Sequence, residues 1–290
     1  MGKLIDGKQI AKDLRAAVAR QTEKLATQGI TPGLAVILVG DDPASEIYVR
    51  NKERAAGKVG VNAQTIKYPT DASEAELLAK IAELNADDSV DAILVQSPVP
   101  SQIDEHKVQE AIDPRKDVDG FHPENIGRLY ANREGYYPVA NTPRGIMTML
   151  QHEGVDVAGE QVVVVGRPMA ALLQGANATV SLLHRYTPAS LTELLVSEAD
   201  IVIVATGVPG LIKGSELKAG AVVIDVGINR LEDGSLVGDV DFESAEPVAS
   251  LITPVPGGVG PMTIATLLQT TVELAAQHHG VALEDPWQTI

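Results

Sequence analysis

The sequence predicts an α/β protein of two domains, each built on a mostly parallel sheet. Short apolar runs without alternation recur along the chain, as in Gly33-Leu-Ala-Val-Ile-Leu-Val-Gly40 and Gln161-Val-Val-Val-Val-Gly166, which is how strands buried on both faces read. Segments of helical period separate these runs, so strand and helix alternate. At 290 residues the chain is long enough for two cores, and with aromatics at only 3% those cores must be aliphatic.

The spacing of Ile10, Leu14, Val18 and Leu25 predicts a helix over residues 8–28. The strand at 33–40 follows. Ser45 is placed to cap the next helix, which runs to about Gly57 and carries Ser45, Tyr48 and Lys52 on one face at i, i+3 and i+7. Residues 61–68 read as a strand, 74–85 as a helix and 91–96 as a third strand, ended by Ser97-Pro-Val-Pro100. Residues 113–144 are rich in Gly and Pro and read as a loop, the best place for a domain connection. Thr142-Pro143 starts a helix over 145–152. The alternation then restarts, with strands at 161–166, 178–183, 199–205 and 221–225 and helices at 168–174 and 191–196. Asp233-Gly234 marks a hairpin. A strand end and a glycine–proline loop occupy 251–261, a final amphipathic helix runs over 263–277, and the tail from 278 is polar.

Composition narrows the function. Hydrophobic residues at 44% and charged residues at 21% are ordinary for a globular protein. A net charge of −16 argues against nucleic acid and anionic membrane as partners. It leaves open an anionic small molecule held by local cations. The absence of cysteine removes disulfides and thiolate chemistry together. The start, Met1-Gly-Lys-Leu-Ile-Asp6, has no apolar signal core, and no apolar run nears the ~20 residues of a membrane span, so a cytoplasmic location is expected. His278-His279 has no acidic or cysteine partner at ligand spacing, so no metal is expected.

Ser45, Tyr48 and Lys52 follow a buried strand, and a lysine desolvated there can lose its proton well below the ~10.4 of a free side chain. The same segment also reads as a solvated helix face. Asp119, in a tight loop, can accept two hydrogen bonds from a heterocycle, and Gln96, at a strand end, can hold a polar group in register. Each also has an ordinary reading, as a turn residue and a strand cap. In the second half, ligands of parallel sheets bind beyond the strands' carboxyl ends. Gly166-Arg167 is the natural phosphate-binding turn, and His184-Arg185 lies where such a fold meets the adenosine ribose. Basic residues rather than an acid there favour NADP over NAD. The Gly-x-Gly-x-x-Gly fingerprint is absent. The run Pro254-Val-Pro-Gly-Gly-Val-Gly-Pro-Met-Thr263 leaves backbone bare for close ligand approach.

Several strings together resemble the bifunctional methylenetetrahydrofolate dehydrogenase/methenyltetrahydrofolate cyclohydrolase family: Tyr48-Val-Arg-Asn-Lys52, Gln96-Ser-Pro-Val-Pro100, Lys116-Asp-Val-Asp119-Gly-Phe121, Thr142-Pro143-x-Gly145, Ile224-Asp-Val-Gly-Ile-Asn229, Gly238-Asp239-Val240 and Thr253-Pro-Val-Pro-Gly-Gly-Val-Gly-Pro-Met-Thr263. The resemblance spans about residues 6–275. It implies a folate-binding three-layer α/β domain over 1–140 plus 264–290, a Rossmann-like NADP-binding domain over 141–263, and a cleft between them. It implies oxidation of 5,10-methylenetetrahydrofolate to the 5,10-methenyl cation with NADP, then hydrolysis to 10-formyltetrahydrofolate. Lys52 would shuttle the proton, Tyr48 orient the folate, Gln96 tune Lys52 and Asp119 anchor the pterin. Ser45, Gly257, Gly258, Val259 and Pro261 would complete the substrate site. Gly166, Arg167, Arg185, Thr206, Gly207, Ile228 and Thr263 would hold the cofactor. The family's habit implies a homodimer through the cofactor domain.

Two departures stand out. The family continues Ser-x-Ile-Val-Gly-x after Gly-Arg, whereas here Arg167 runs straight into Pro168-Met169, a shortening of about six residues. Either the segment is deleted, which removes donors to the cofactor pyrophosphate, or it is missing between two matching flanks, the reading the close match of those flanks favours. A deletion would leave a cyclohydrolase alone, or a folate-binding protein without dinucleotide binding. Ala140-Asn141 replaces the family's Pro-Cys before Thr142-Pro143, with a mild effect expected. An unrelated dehydrogenase for a cyclic hydroxy acid fits the alternation but leaves 116–121 and 253–263 unexplained.

Overall fold

The structure, a computed structural model, describes residues 2–165 and 169–283. In chain order its elements are β1 (Lys3–Leu4), α1 (Gly7–Ala26), β2 (Gly33–Val39), α2 (Pro43–Lys58), β3 (Asn62–Tyr68), α3 (Glu74–Ala86), β4 (Ala92–Val95), α4 (Glu105–Ala111), α5 (Pro123–Tyr130), α6 (Asn141–His152), β5 (Gln161–Val165), α7 (Met169–Gly175), β6 (Thr179–Leu183), α8 (Ala189–Glu198), β7 (Ile201–Val204), β8 (Val222–Asp225), β9 (Asn229–Arg230), β10 (Leu236–Val237), α9 (Phe242–Ala245), β11 (Leu251–Ile252) and α10 (Val259–His278).

The described chain divides into two compact units. One comprises residues 13–141 and 264–283. Its parallel sheet has the order β3-β2-β4, and every residue of the central β2 is buried. Ile37, Leu77, Ile81 and Ile93 lie in its aliphatic core, as the scarcity of aromatics requires. Ser73 and Glu76 close a capping box at the start of α3. The later part of α10 is tied in by Thr266, whose hydroxyl donates to the Asn141 carbonyl at 2.9 Å, and by His278, whose Nδ1 lies 3.0 Å from Asp91 Oδ1.

The other unit comprises residues 2–12 and 142–263. Its six-stranded sheet has the order β1-β11-β8-β7-β5-β6, with every pairing parallel. The chain enters at β5, steps outward to β6, then returns to β7 on β5's other side. That reversal makes the carboxyl ends of β5 and β7 the place where a doubly wound sheet binds a ligand. The expected hairpin forms between β9 and β10.

Five features differ from the sequence reading. Residues 1–12, assigned by sequence to the folate-binding part, group with 142–263, because Lys3 and Leu4 pair with Leu251 and Ile252. The cap of α2 is Asp42 rather than Ser45: its carboxylate accepts from the Ser45 N–H at 2.8 Å, with Pro43 at the first helical position. Helix α10 starts at Val259, four residues early, since Pro261 in the first turn gives up an N–H that no helical carbonyl needs. Helix α6 likewise starts at Asn141. The stretch expected as loop carries α5.

Candidate active site

In the unit of residues 13–141 and 264–283, three strand-end devices converge. Strand β2 runs through the Gly40 turn into α2, which carries Ser45, Tyr48 and Lys52. Ser45 is buried, Tyr48 is half exposed and Lys52 is partly buried. Strand β4 is followed by Gln96, whose side-chain N–H donates to the Ser97 carbonyl at 2.7 Å. That contact turns the amide oxygen toward Lys52, whose ammonium donates to it at 3.0 Å. Asp119 lies on the loop that returns past β4, where Asp117 bridges to Ile93.

The charges oppose one another in an informative way. Burial lowers the Lys52 pKa, while the Asp119 carboxylate pulls it back up. Burial pushes Asp119 up to about 6; Lys52 counters this, Asp117 adds to it and a hydrogen bond from Asn141 counters it. Both groups are thus drawn from their ordinary values toward neutrality, the condition for proton transfer near pH 7. Like charge from a cationic intermediate is not needed to depress Lys52; burial leads.

Asn141 is the residue that sequence reasoning undervalued. It is buried, and its side-chain N–H groups reach the Val118 carbonyl at 3.0 Å and Asp119 Oδ1 at 3.2 Å. Its Oδ1 accepts from Thr270 at 3.3 Å. The departure from the family's Pro-Cys therefore touches the carboxylate that would hold the pterin, and its effect is not confined to a linker.

In the other unit, Thr206 and Gly207 follow β7, and Ile228 follows β8 with half its surface exposed. Gly207 has φ +72° and open space where a Cβ would sit. Arg185 follows β6, stacked 4.8 Å from the Tyr186 ring centre and donating to its hydroxyl at 2.8 Å. Thr263 Oγ1 lies 3.0 Å from Thr142 Oγ1. Gly166 and Arg167 lie outside the described residues. Two glycines of the 253–263 loop, Gly257 and Gly258, are required by the chain itself, whatever ligand approaches them. A Cβ on Gly258 would sit 2.7 Å from the Pro254 carbonyl oxygen, and one on Gly7 only 1.9 Å from that of Gly258. Gly257 has φ +115° beneath the Lys8 side chain. Val259 is buried, and Gly260 and Pro261 keep part of their surface.

Two buried acids went without a role in the sequence reading, although their strings stood out. Asp225 ends β8 and accepts from the N–H groups of Gly227, Asp239 and Val240 at 3.1, 2.9 and 2.9 Å. Asp239 accepts from Thr206, Gly207 and Asn229. A carboxylate closing the apolar run Ala221-Val-Val-Ile-Asp225 was the signal available.

A lysine–amide–carboxylate set at parallel strand ends, in a chain whose second unit is a doubly wound sheet, defines a two-unit α/β enzyme of the dinucleotide-dependent kind. The chain belongs to the tetrahydrofolate dehydrogenase/cyclohydrolase family, whose catalytic-domain model matches residues 5–119 and whose NAD(P)-binding-domain model matches residues 140–279. It is 60% identical to the bifunctional protein FolD of Lactiplantibacillus plantarum over 281 residues, covering 95% of this chain and 98% of that one. FolD of Limosilactobacillus reuteri is 54% identical over 291 residues, covering 97% and 100%. Among solved structures, FolD from Campylobacter jejuni is 43% identical with a TM-score of 0.93, covering 96% of this chain and 99% of that one. The Trypanosoma brucei enzyme, solved with NADP cofactor and an inhibitor, is 35% identical with a TM-score of 0.91, covering 95% and 98%.

Proposed function

We propose that the protein oxidises 5,10-methylenetetrahydrofolate to 5,10-methenyltetrahydrofolate with NADP and hydrolyses that product to 10-formyltetrahydrofolate. The observation that carries this is the Lys52–Gln96 contact at 3.0 Å, with Asp119 acting on the same lysine. The second unit fits a dinucleotide: Gly207 is open, Ile228 is half exposed, and both lie at the ends of parallel strands. NADP, when bound, supplies the hydride acceptor. Asp119 holds the pterin ring by accepting its N–H donors, and Tyr48 and Ser45 face the same pocket from α2. In hydrolysis, water adds to the methenyl carbon and gives up one proton; the bond from that carbon to one ring nitrogen then breaks, the hydroxyl proton passing to that nitrogen and leaving the formyl C=O. Lys52, its pKa lowered by burial, takes the proton water loses, and Gln96 Oε1 holds the resulting ammonium in place. Arg185, stacked on Tyr186, pairs with the 2′-phosphate of NADP.

The protein acts in the cytoplasm as a homodimer. Supporting the dimer, β6 is an edge of the six-stranded sheet and leaves Leu182 50% exposed. No described helix is long and apolar enough to cross a membrane.

The test is absorbance of the purified protein with methylenetetrahydrofolate and NADP or NAD, following reduced cofactor and methenyl intermediate together. Reduction of NADP in preference to NAD is the expected result. Hydrolysis of supplied methenyltetrahydrofolate without any reduction would leave a cyclohydrolase that lost its dehydrogenase half through the shortened segment after Arg167.

A further inference from the structure

Asp239 is fully buried, and among the described residues its carboxylate accepts hydrogen bonds from neutral donors alone. Its Oδ2 accepts from the Thr206 N–H at 2.5 Å, the Thr206 hydroxyl at 3.0 Å and the Gly207 N–H at 2.9 Å. Its Oδ1 accepts from Asn229 Nδ2 at 2.7 Å. One carboxylate thus ties the turn after β7 to the segment after β8, across 32 and 10 residues of chain. The surroundings are shaped to keep it there. A Cβ on Gly227 would sit 2.1 Å from Asp239 Oδ1, and one on Gly238 only 1.8 Å from Asp225 Oδ2. Asp225 in turn accepts the Asp239 N–H at 2.9 Å. Burying a carboxylate on neutral donors is costly unless its hydrogen bonds are well formed, and here they are spent on two turns at the ligand-binding edge of the sheet.

We propose that Asp239 is a positioning residue that presets the Thr206–Gly207 turn and the Ile228–Asn229 segment for the dinucleotide. This rests on the dinucleotide reading given above and adds which part of the ligand the turn receives. With both N–H groups and the Thr206 hydroxyl turned onto Asp239, the turn has no donor left for a phosphate. It suits a part of the ligand that donates hydrogen bonds, a ribose hydroxyl or a carboxamide, rather than the pyrophosphate. Thr206 therefore serves through its backbone, not its hydroxyl.

The experiment compares wild type with Asp239→Asn by calorimetric titration with NADP, by the KM for NADP, and by hydrolysis of methenyltetrahydrofolate without NADP. An asparagine keeps the volume but turns one acceptor into a donor facing N–H groups. NADP binding should weaken about tenfold, the scale of one buried hydrogen bond lost and one donor left unpaired, while cyclohydrolase kcat/KM stays within about twofold. Unchanged NADP affinity in a folded variant overturns the proposal and leaves the dinucleotide reading standing. Equal loss of NADP binding and cyclohydrolase also overturns it, in favour of a general structural role. Failure of the wild type itself to bind NADP overturns the dinucleotide reading and this proposal with it. Should Asp239→Asn not fold, Asn229→Ala removes the Oδ1 donor alone; a few-fold weaker NADP affinity is then expected, and no change overturns the proposal.

Discussion

Lys52 and Asp119 sit in partial burial that works against both of their charges, and this opposition makes clear predictions. Lys52→Met removes the group proposed to take the proton from water. It should lower cyclohydrolase kcat by at least about a hundredfold, the usual scale of a general base, while folate still binds; hydrolysis at the wild-type rate would refute the shuttle. Asp119 is raised to about 6 in the folded protein, against an ordinary value near 4 in the unfolded chain. Between those values the native state holds more protons than the unfolded one, so this group makes stability fall as pH rises from about 4 to 6 and stay lower above. Asp119→Asn should therefore raise the Tm at pH 8 and flatten its pH dependence while weakening folate binding. A lower Tm at pH 8 would contradict the sign. Lys52, Gln96 and Asp119 could be singled out because each sits in a recognisable string. The contacts of Asn141 and Asp239 were not legible, since their partners lie 22 and 33 residues away and spacing carries no trace of them.

Among the elements, buried parallel strands were the most legible, because runs such as Val162–Val165 and Ile201–Val204 have no polar face to confuse the period. Helix starts were the least legible. Asp42, Pro43 and Ser45 all suit an N-terminus, and only the 2.8 Å contact to the Ser45 N–H decides among them. Asp42→Ala should cost about 1 kcal/mol by urea denaturation, with Ser45→Ala costing less through capping. Helix α5 escaped notice because it is eight residues long, contains Gly127 and is capped by His122 rather than by a residue of the usual set.

At the scale of the molecule, the edge strand β6 is the open boundary of the larger sheet. Leu182→Lys should convert the proposed dimer, of twice 30.5 kDa, into a monomer by light scattering, with both activities measured alongside; a wild type that already runs as a monomer would remove the dimer. The α/β alternation was legible over the whole chain, but the membership of residues 1–12 was not. Two residues, Lys3 and Leu4, make the pairing, and a strand that short has no period to read.

That pairing has a consequence for biosynthesis. Lys3 and Leu4 leave the ribosome well before their partners Leu251 and Ile252 are made. Residues 13–141 emerge in between, and their own unit waits for residues 264–283. Neither unit can close before those later residues are made, so until then the nascent chain carries an unfinished six-stranded sheet and a three-stranded sheet without its last helix. Contacts so distant in sequence form slowly and leave apolar strands uncovered meanwhile. A chain truncated near residue 240 would lack both closing pieces.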